Sequence, residues 1–143
     1  MRKLIYLIIS FTMIAACDIH RSDNGDLDGF WQLKSVDTLS TGGTCDMRDS
    51  MRFWGFQANL LHVRYKNEKT GNVLFRFNHT GNIMILSDPI IDMRDSSDLI
   101  LTDTTLLYHY GIHDVPETLK VVTLNKSTMI LENRLLRLHL RKY

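Results

Sequence analysis

An antiparallel, all-β up-and-down barrel of about eight strands with one short helix is the fold class this sequence predicts, on three observations. Apolar and polar residues alternate with a period of two through much of residues 29–143. Gly, Asn, Asp and Ser punctuate those runs at short intervals. The chain is 44% hydrophobic and 23% charged with only 2 prolines, the composition of a packed domain.

The elements follow in order. Gly29-Phe30-Trp31-Gln32-Leu33-Lys34-Ser35-Val36 opens the first strand, and the aromatic-rich run Met51 to Gln57 is the second. In Leu60 to Lys66, Leu61, Val63 and Tyr65 face one way and His62, Arg64 and Lys66 the other. Asn67 to Asn72 turns the chain into a strand where Val73, Phe75 and Phe77 alternate with Arg76 and Asn78. His79-Thr80-Gly81-Asn82 turns it again, into Ile83 to Leu86. Pro89 to Ser97 reads as a loop, and Leu99-Ile100-Leu101 as a short apolar run. Asp103-Thr104-Thr105 can cap a helix through Tyr110, with Gly111 as its stop. Thr118 to Leu124 and Thr128 to Glu132 flank the tight turn Asn125-Lys126-Ser127. After Asn133-Arg134, Leu135 to Tyr143 is the last strand, with Leu136, Leu138 and Leu140 on one face and Arg137, His139 and Arg141 on the other. A one-residue slip would exchange those faces, so the register is strongly specified. Short strands joined by short turns make a meander, and closing it into a barrel removes the exposed edges.

The N-terminus reads differently. Met1-Arg2-Lys3 is a short positive segment, and Leu4 to Ala16 is almost wholly apolar. That run is too short for a bilayer-spanning helix, which needs about 20 residues, and has the size of an export-signal core. Ile14-Ala15-Ala16-Cys17 resembles the bacterial lipobox: an apolar residue, two small residues that fit a narrow peptidase cleft, then Cys. The resemblance implies cleavage before Cys17, which carries a thioether-linked diacylglycerol and an amine-linked acyl chain such as palmitate. Two or three chains hold a protein at a membrane essentially permanently. The expected organisation is a signal peptide over 1–16, lipidated Cys17 with a flexible, Asp-rich tether over 17–28, and a barrel over 29–143. The chain is then a lipoprotein of the cell envelope, anchored to a bacterial membrane and expected at the outer one, with the leaflet left open.

Charge excludes one class of partner. Of 17 Lys and Arg, Arg2 and Lys3 lie in the leader, which leaves 15 basic against 16 acidic side chains. Such a balance gives no general pull toward nucleic acid.

Candidate chemistry is sparse. His109 and His113 stand four apart, with Asp114 as the near third ligand, but Gly111 between them interrupts the helix such a metal site needs, so they read as surface histidines. No Gly-x-Ser-x-Gly, His-Glu-x-x-His or phosphate-cradling glycine loop occurs, so neither an enzyme nor a cofactor is expected. Cys45 is the one cysteine left besides Cys17, and no partner arrangement marks it as a nucleophile. Arg134, Arg137, His139, Arg141 and Lys142 form a basic row that reads as the solvated face of a strand, with phospholipid headgroups as the alternative. Asp46-Met47-Arg48-Asp49-Ser50 recurs identically as Asp92-Met93-Arg94-Asp95-Ser96; chance similarity of two polar loops and equivalent loops at one barrel mouth both stay open.

Gly29-Phe30-Trp31, on the first strand just after a flexible N-terminus, resembles the lipocalin signature. Residues 27–143 as a whole look like the small lipocalin-like lipoproteins of bacteria. The resemblance implies that Trp31 closes the barrel floor and that a basic residue late in the last strand packs across it. Arg141 and Lys142 lie where that partner belongs, and the alternation of the last strand makes Lys142 the inward one. It implies a small apolar ligand, for which Trp31, Val73, Phe75, Phe77, Leu136, Leu138 and Leu140 are the candidate pocket wall. A barrel this small can also be filled by its own side chains. The alternative function is therefore a protein-interaction or inhibitor module with a solid core, acting through loops 38–50 and 87–97.

Overall fold

Val73, Phe75 and Phe77 are buried, while Arg76 and Asn78 between and beyond them are exposed. That alternation, repeated strand after strand, produces the architecture. The structure is a computed structural model that describes residues 22–66, 72–93, 97 and 99–143. The expected signal peptide, Cys17 with the tether to Arg21, most of the 67–72 turn and Arg94–Ser96 of the second repeated run lie outside the described residues.

Among the described residues, ten strands pair antiparallel in one sheet: β1 (Gly29–Thr38), β2 (Thr44–Asp46), β3 (Arg52–Gln57), β4 (Leu60–Tyr65), β5 (Val73–Thr80), β6 (Ile83–Ile91), β7 (Leu99–Ile100), β8 (Glu117–Leu124), β9 (Thr128–Glu132) and β10 (Leu136–Lys142). β1 pairs with both β3 and β10, so the sheet closes on itself. With β2 and β7 off the ring, the closed path is β1-β3-β4-β5-β6-β8-β9-β10, an eight-stranded barrel. β1 is long enough to serve twice on one side: Gly29–Gln32 pair with β3, and Ser35–Asp37 with β2.

Closure needs curvature, and three bulges supply it. Leu33 faces Leu140 but Ser35 faces His139, so Lys34 is the extra residue in β1. Val121 faces Leu131 while Thr123 faces Ile130, which makes Val122 the extra residue in β8. In β6, Leu74 faces Ile90 and Arg76 faces Ser87, so Asp88 and Pro89 together oppose Phe75. Asp88 takes φ 51° there.

That last bulge corrects the start of the expected loop from Pro89 to Ser97, while Asp92, Met93 and Ser97 do lie outside any strand. β6 continues to Ile91, and Leu99–Ile100 pair back onto it as β7. Proline lacks the N–H that a ladder needs, and at a bulge none is required. Two smaller differences share one cause, strands that run longer than their turn residues suggest. β5 extends through Thr80, leaving only Gly81-Asn82 as the turn, and loop 38–50 contains β2 and a 3-10 turn, Arg48–Ser50.

The expected short helix spans Thr104–Tyr110 and is of 3-10 type. The Asp103 side chain accepts from the Thr105 N–H at 3.0 Å, and Gly111 ends the helix at φ 81°. At seven residues it is long for that geometry, whose runs seldom exceed about four.

Candidate functional site: the barrel interior and its two closures

The floor is built on Trp31. It is fully buried, and its Nε1–H donates to the Leu27 carbonyl at 2.8 Å. Lys142 Nζ lies 4.5 Å from its ring centroid and donates to the Asp26 carbonyl at 2.7 Å. Lys142 is thus the inward basic partner that the alternation of the last strand favours. Gly29 holds φ 103°, and a Cβ there would meet Lys142 Cε at 3.3 Å, so glycine two residues before the Trp lets the lysine in.

The segment expected as tether contributes to this floor. Gly25–Leu27 form a 3-10 turn that buries Leu27 completely. Ser22 and Asn24 side chains donate to Asp28, and both also reach across to Ala58: its N–H donates to Ser22 Oγ at 2.7 Å, and its carbonyl accepts from Asn24 Nδ2 at 2.7 Å. For the Asp28 carboxyl, burial acts to raise the pKa, but hydrogen bonds from Ser22 and Asn24, with the charge of Lys142, outweigh it and hold the group below 3.8. Residues 22–28 are therefore docked, where the sequence suggested a flexible stretch. The Ser22, Asn24 and Asp28 side chains turn to one another, and the first two also to Ala58, an arrangement composition does not reveal.

The wall gathers the predicted residues. Trp31, Val73, Phe75, Phe77, Leu138 and Leu140 are all buried in one cluster with Trp54, Phe56, Leu61 and Met84, and Leu136 packs half-buried against it. Facing strands thus bring all seven to one interior.

The mouth is closed by a separate segment. Leu101, Leu107, Tyr110 and Ile112, from β7's end and the 3-10 helix, are buried in the same cluster. At Gly111 a Cβ would lie 2.4 Å from Leu138 Cδ2, so this plug sits directly on the wall. Two buried polar residues pin it. Glu117 Oε2 accepts from the His113 and Asp114 N–H groups at 2.8 and 3.2 Å. Asn133 Nδ2 donates to the Gly111 carbonyl at 2.9 Å, while its Oδ1 caps the Leu135 and Leu136 N–H groups. Sequence reasoning passed over Glu117 and Asn133, whose partners depend on the closed barrel.

It also passed over Arg52. Parity on β3 places Arg52, Trp54 and Phe56 inward, a signal visible in the sequence had the polar residue been read with its aromatic neighbours. The Arg52 guanidinium lies 5.4 Å from the Tyr65 ring centroid and 5.3 Å from that of Tyr110. Its Nε and the Trp54 Nε1 are buried without a hydrogen-bond partner.

Two cavities open elsewhere. One, of about 600 Å³, lies outside the barrel wall and is lined by Phe30, Gly55, Leu60 and Leu74 with Ser22 and Asp28 at its edge. A second, of about 400 Å³, is polar, lined by Asn59, Asn78 and His79. Of the seven predicted wall residues, only Phe77 lines either.

The remaining candidates separate. Among the described residues no group of three or more His, Cys, Asp and Glu could hold a metal. His113 stacks on Tyr108 at 4.7 Å. Cys45 is exposed, its Sγ 3.8 Å from Met47 Sδ. In the basic row, Arg137 pairs with Glu132 at 2.5 Å, Arg134 with Asp114 at 3.6 Å, and His139 Nε2 lies 2.7 Å from Asp37 Oδ2. The His139 and Thr44 hydrogen bonds hold the Asp37 carboxyl below its usual value. Much of that row is therefore neutralised by its own neighbours. In the first repeated run, hydrogen bonds from Arg48 bring the Asp46 carboxyl down to about 2.

Comparison with known proteins agrees with this geometry. The family described as "Lipocalin-like domain" matches residues 11–143. A crystal structure of a lipocalin-like protein from Bacteroides uniformis ATCC 8492 superposes with a TM-score of 0.63 at 21% identity, covering 83% of this chain and 100% of that one. An uncharacterized protein from Bacteroides eggerthii DSM 20697 gives 0.59 at 18% identity, covering 82% and 99%. At these identities the two structures bear on the fold alone. No curated protein matches the sequence.

Proposed function

Since the chain belongs to the lipocalin-like domain family, we propose that it is a non-enzymatic, lipid-anchored protein of the bacterial cell envelope that binds a small apolar molecule inside its barrel. One observation carries the binding reading. The apolar interior is stoppered by a segment that is no part of the barrel ring, and the plug residues Leu107 and Ile112 are buried in one cluster with the wall residues. Such a plug can swing away by releasing the Glu117 and Asn133 contacts while every ring strand stays paired. Apolar burial then drives binding, at about 25 cal/mol per Å² removed from water. The anchor reading rests on Ile14-Ala15-Ala16-Cys17 following a charged and then apolar leader.

A second reading has its own support. The cavity of about 600 Å³ lies on the outer wall and is largely apolar, as suits a protein-interaction module with a solid core.

Native mass spectrometry of the soluble domain, residues 18–143, separates the two. A co-purifying or added mass of lipid size is expected. A domain that stays ligand-free in the presence of apolar probes sinks the binding reading and favours the interaction module. The intact mass of membrane-extracted protein tests the anchor: an unmodified Cys17 thiol overturns it.

A further inference from the structure

We propose that the ligand of this barrel carries a carboxylate head, received at the mouth by Arg52 with the Trp54 indole N–H as a second donor. This rests on the reading of the interior as a binding site and specifies the chemistry of its occupant.

Three observations meet at one place. First, Trp54 is fully buried, yet its Nε1–H has no acceptor. The other indole, Trp31, is equally buried and does have one, the Leu27 carbonyl. A buried donor without a partner is destabilising, and native structures rarely keep one without a reason. Second, Arg52 Nε is buried without an acceptor, and among the described residues no carboxylate forms an ion pair with this guanidinium. Third, the two residues stand on the same inward face of β3, one pleat apart, roughly 7 Å along the strand. Arg52 is nearer the mouth and Trp54 deeper.

The surroundings of Arg52 define what it can take. Its guanidinium lies over two aromatic rings, Tyr65 of the wall and Tyr110 of the plug. Such contacts engage the faces of the cation and leave its N–H groups, which lie in its plane, as the edge for recognition. A planar carboxylate meets that edge with two parallel hydrogen bonds. The apolar remainder of the molecule would extend into the interior that Leu107 and Ile112 now fill. Because Tyr110 belongs to the plug, its contact with Arg52 also makes the plug a competitor for the same cation. A head group that engages Arg52 weakens one of the contacts holding the mouth shut.

The experiment compares dodecanoate with dodecanol, which share a chain length and differ in the head. Calorimetric titrations use the delipidated soluble domain and its Arg52→Met, Arg52→Lys and Trp54→Phe variants. The wild type is expected to bind dodecanoate about tenfold or more tightly than dodecanol, the range of a charge-assisted hydrogen bond. Arg52→Met should bring dodecanoate affinity down to about that of dodecanol, with an unchanged circular dichroism spectrum and cooperative thermal unfolding showing that the variant's barrel is intact. Arg52→Lys should keep part of the preference, and Trp54→Phe should lower dodecanoate affinity more than dodecanol affinity. Equal binding of the two molecules by the wild type, or a preference that survives Arg52→Met, overturns the head-group assignment and leaves the apolar barrel standing. Binding of neither overturns both. Trp54→Phe without effect on the preference removes Trp54 from the site and points to a buried water on its N–H.

Discussion

Lys142 Nζ rests 4.5 Å from the centre of the Trp31 ring while donating to the Asp26 carbonyl, so one side chain ties the last strand, the first strand and the N-terminal turn together. Replacing Lys142 with Met keeps the aliphatic stem and removes both polar contacts. A cation–π contact contributes about 0.5–2 kcal/mol depending on exposure, and a charged hydrogen bond adds to it. Lys142→Met should therefore lower stability by about 1–3 kcal/mol in urea unfolding followed by tryptophan fluorescence, and Lys142→Arg by less. An unchanged midpoint for Lys142→Met would reduce the floor contact to mere proximity.

Gly111 and Leu138 should show strong coupling. Gly111→Ala adds a left-handed backbone penalty of about 1–2 kcal/mol and an overpacking cost of about 1–3 kcal/mol. In a Leu138→Ala background the clash partner is gone, so only the backbone penalty should remain. A double-mutant cycle measures the difference, and additive costs would show that the plug does not sit on Leu138 in solution.

Glu117 should control the opening of the mouth. Glu117→Leu leaves the His113 and Asp114 N–H groups without their acceptor, at about 1–3 kcal/mol each, whereas Glu117→Gln keeps one acceptor oxygen. Hydrogen exchange should accelerate across residues 107–114 in the Leu variant and much less in the Gln variant, with the ring strands unchanged. Uniform acceleration over the whole barrel would mean that the plug has no independent opening.

The floor clasp should be acid-labile. The folded-state pKa of Asp28 is depressed below 3.8, so its contribution is fully present above the unfolded value and lost as pH falls through the lower folded one. An acid titration followed by the Ala58 amide resonance should report release of Ser22 and Asn24 in that range. Asp28→Asn should show a weakened clasp at neutral pH and no such transition, and an identical transition in that variant would assign it to another group.

Legibility in the sequence followed locality. β5 and β10 could be read because neighbouring residues differ sharply in polarity: Phe75 against Arg76, Leu138 against Arg137. The inward turn of Lys142 could be read from the same parity. β6 beyond Ser87 could not, because the Asp88-Pro89 bulge places a proline and a parity shift at one point. The plug was visible as a capped helix but not as a plug, since Leu107, Tyr110 and Ile112 acquire a common target only once the barrel mouth exists. Asn133 and its partners Gly111 and Glu117 are 22 and 16 residues apart, a separation no local pattern encodes. Arg52 and Trp54 stood in plain alternation; the lack of acceptors around them is a property of the closed interior alone.

The clasp between Ala58 and residues 22–24 also fixes how the molecule would stand on a membrane. With Cys17 as the proposed anchor, only five residues separate the lipid from Ser22, a leash of at most about 18 Å even when fully extended. That leash would join the domain at Ser22, beside Ala58 in the turn between β3 and β4, whereas the plug packs on Leu138, further up β10 from the floor residue Lys142. The domain would then sit floor-down, its stoppered mouth turned away from the bilayer, so that cargo enters from the aqueous side. A spin label at position 106 should thus be quenched less by bilayer-bound paramagnets than one at position 58, and the reverse ranking would turn the molecule over.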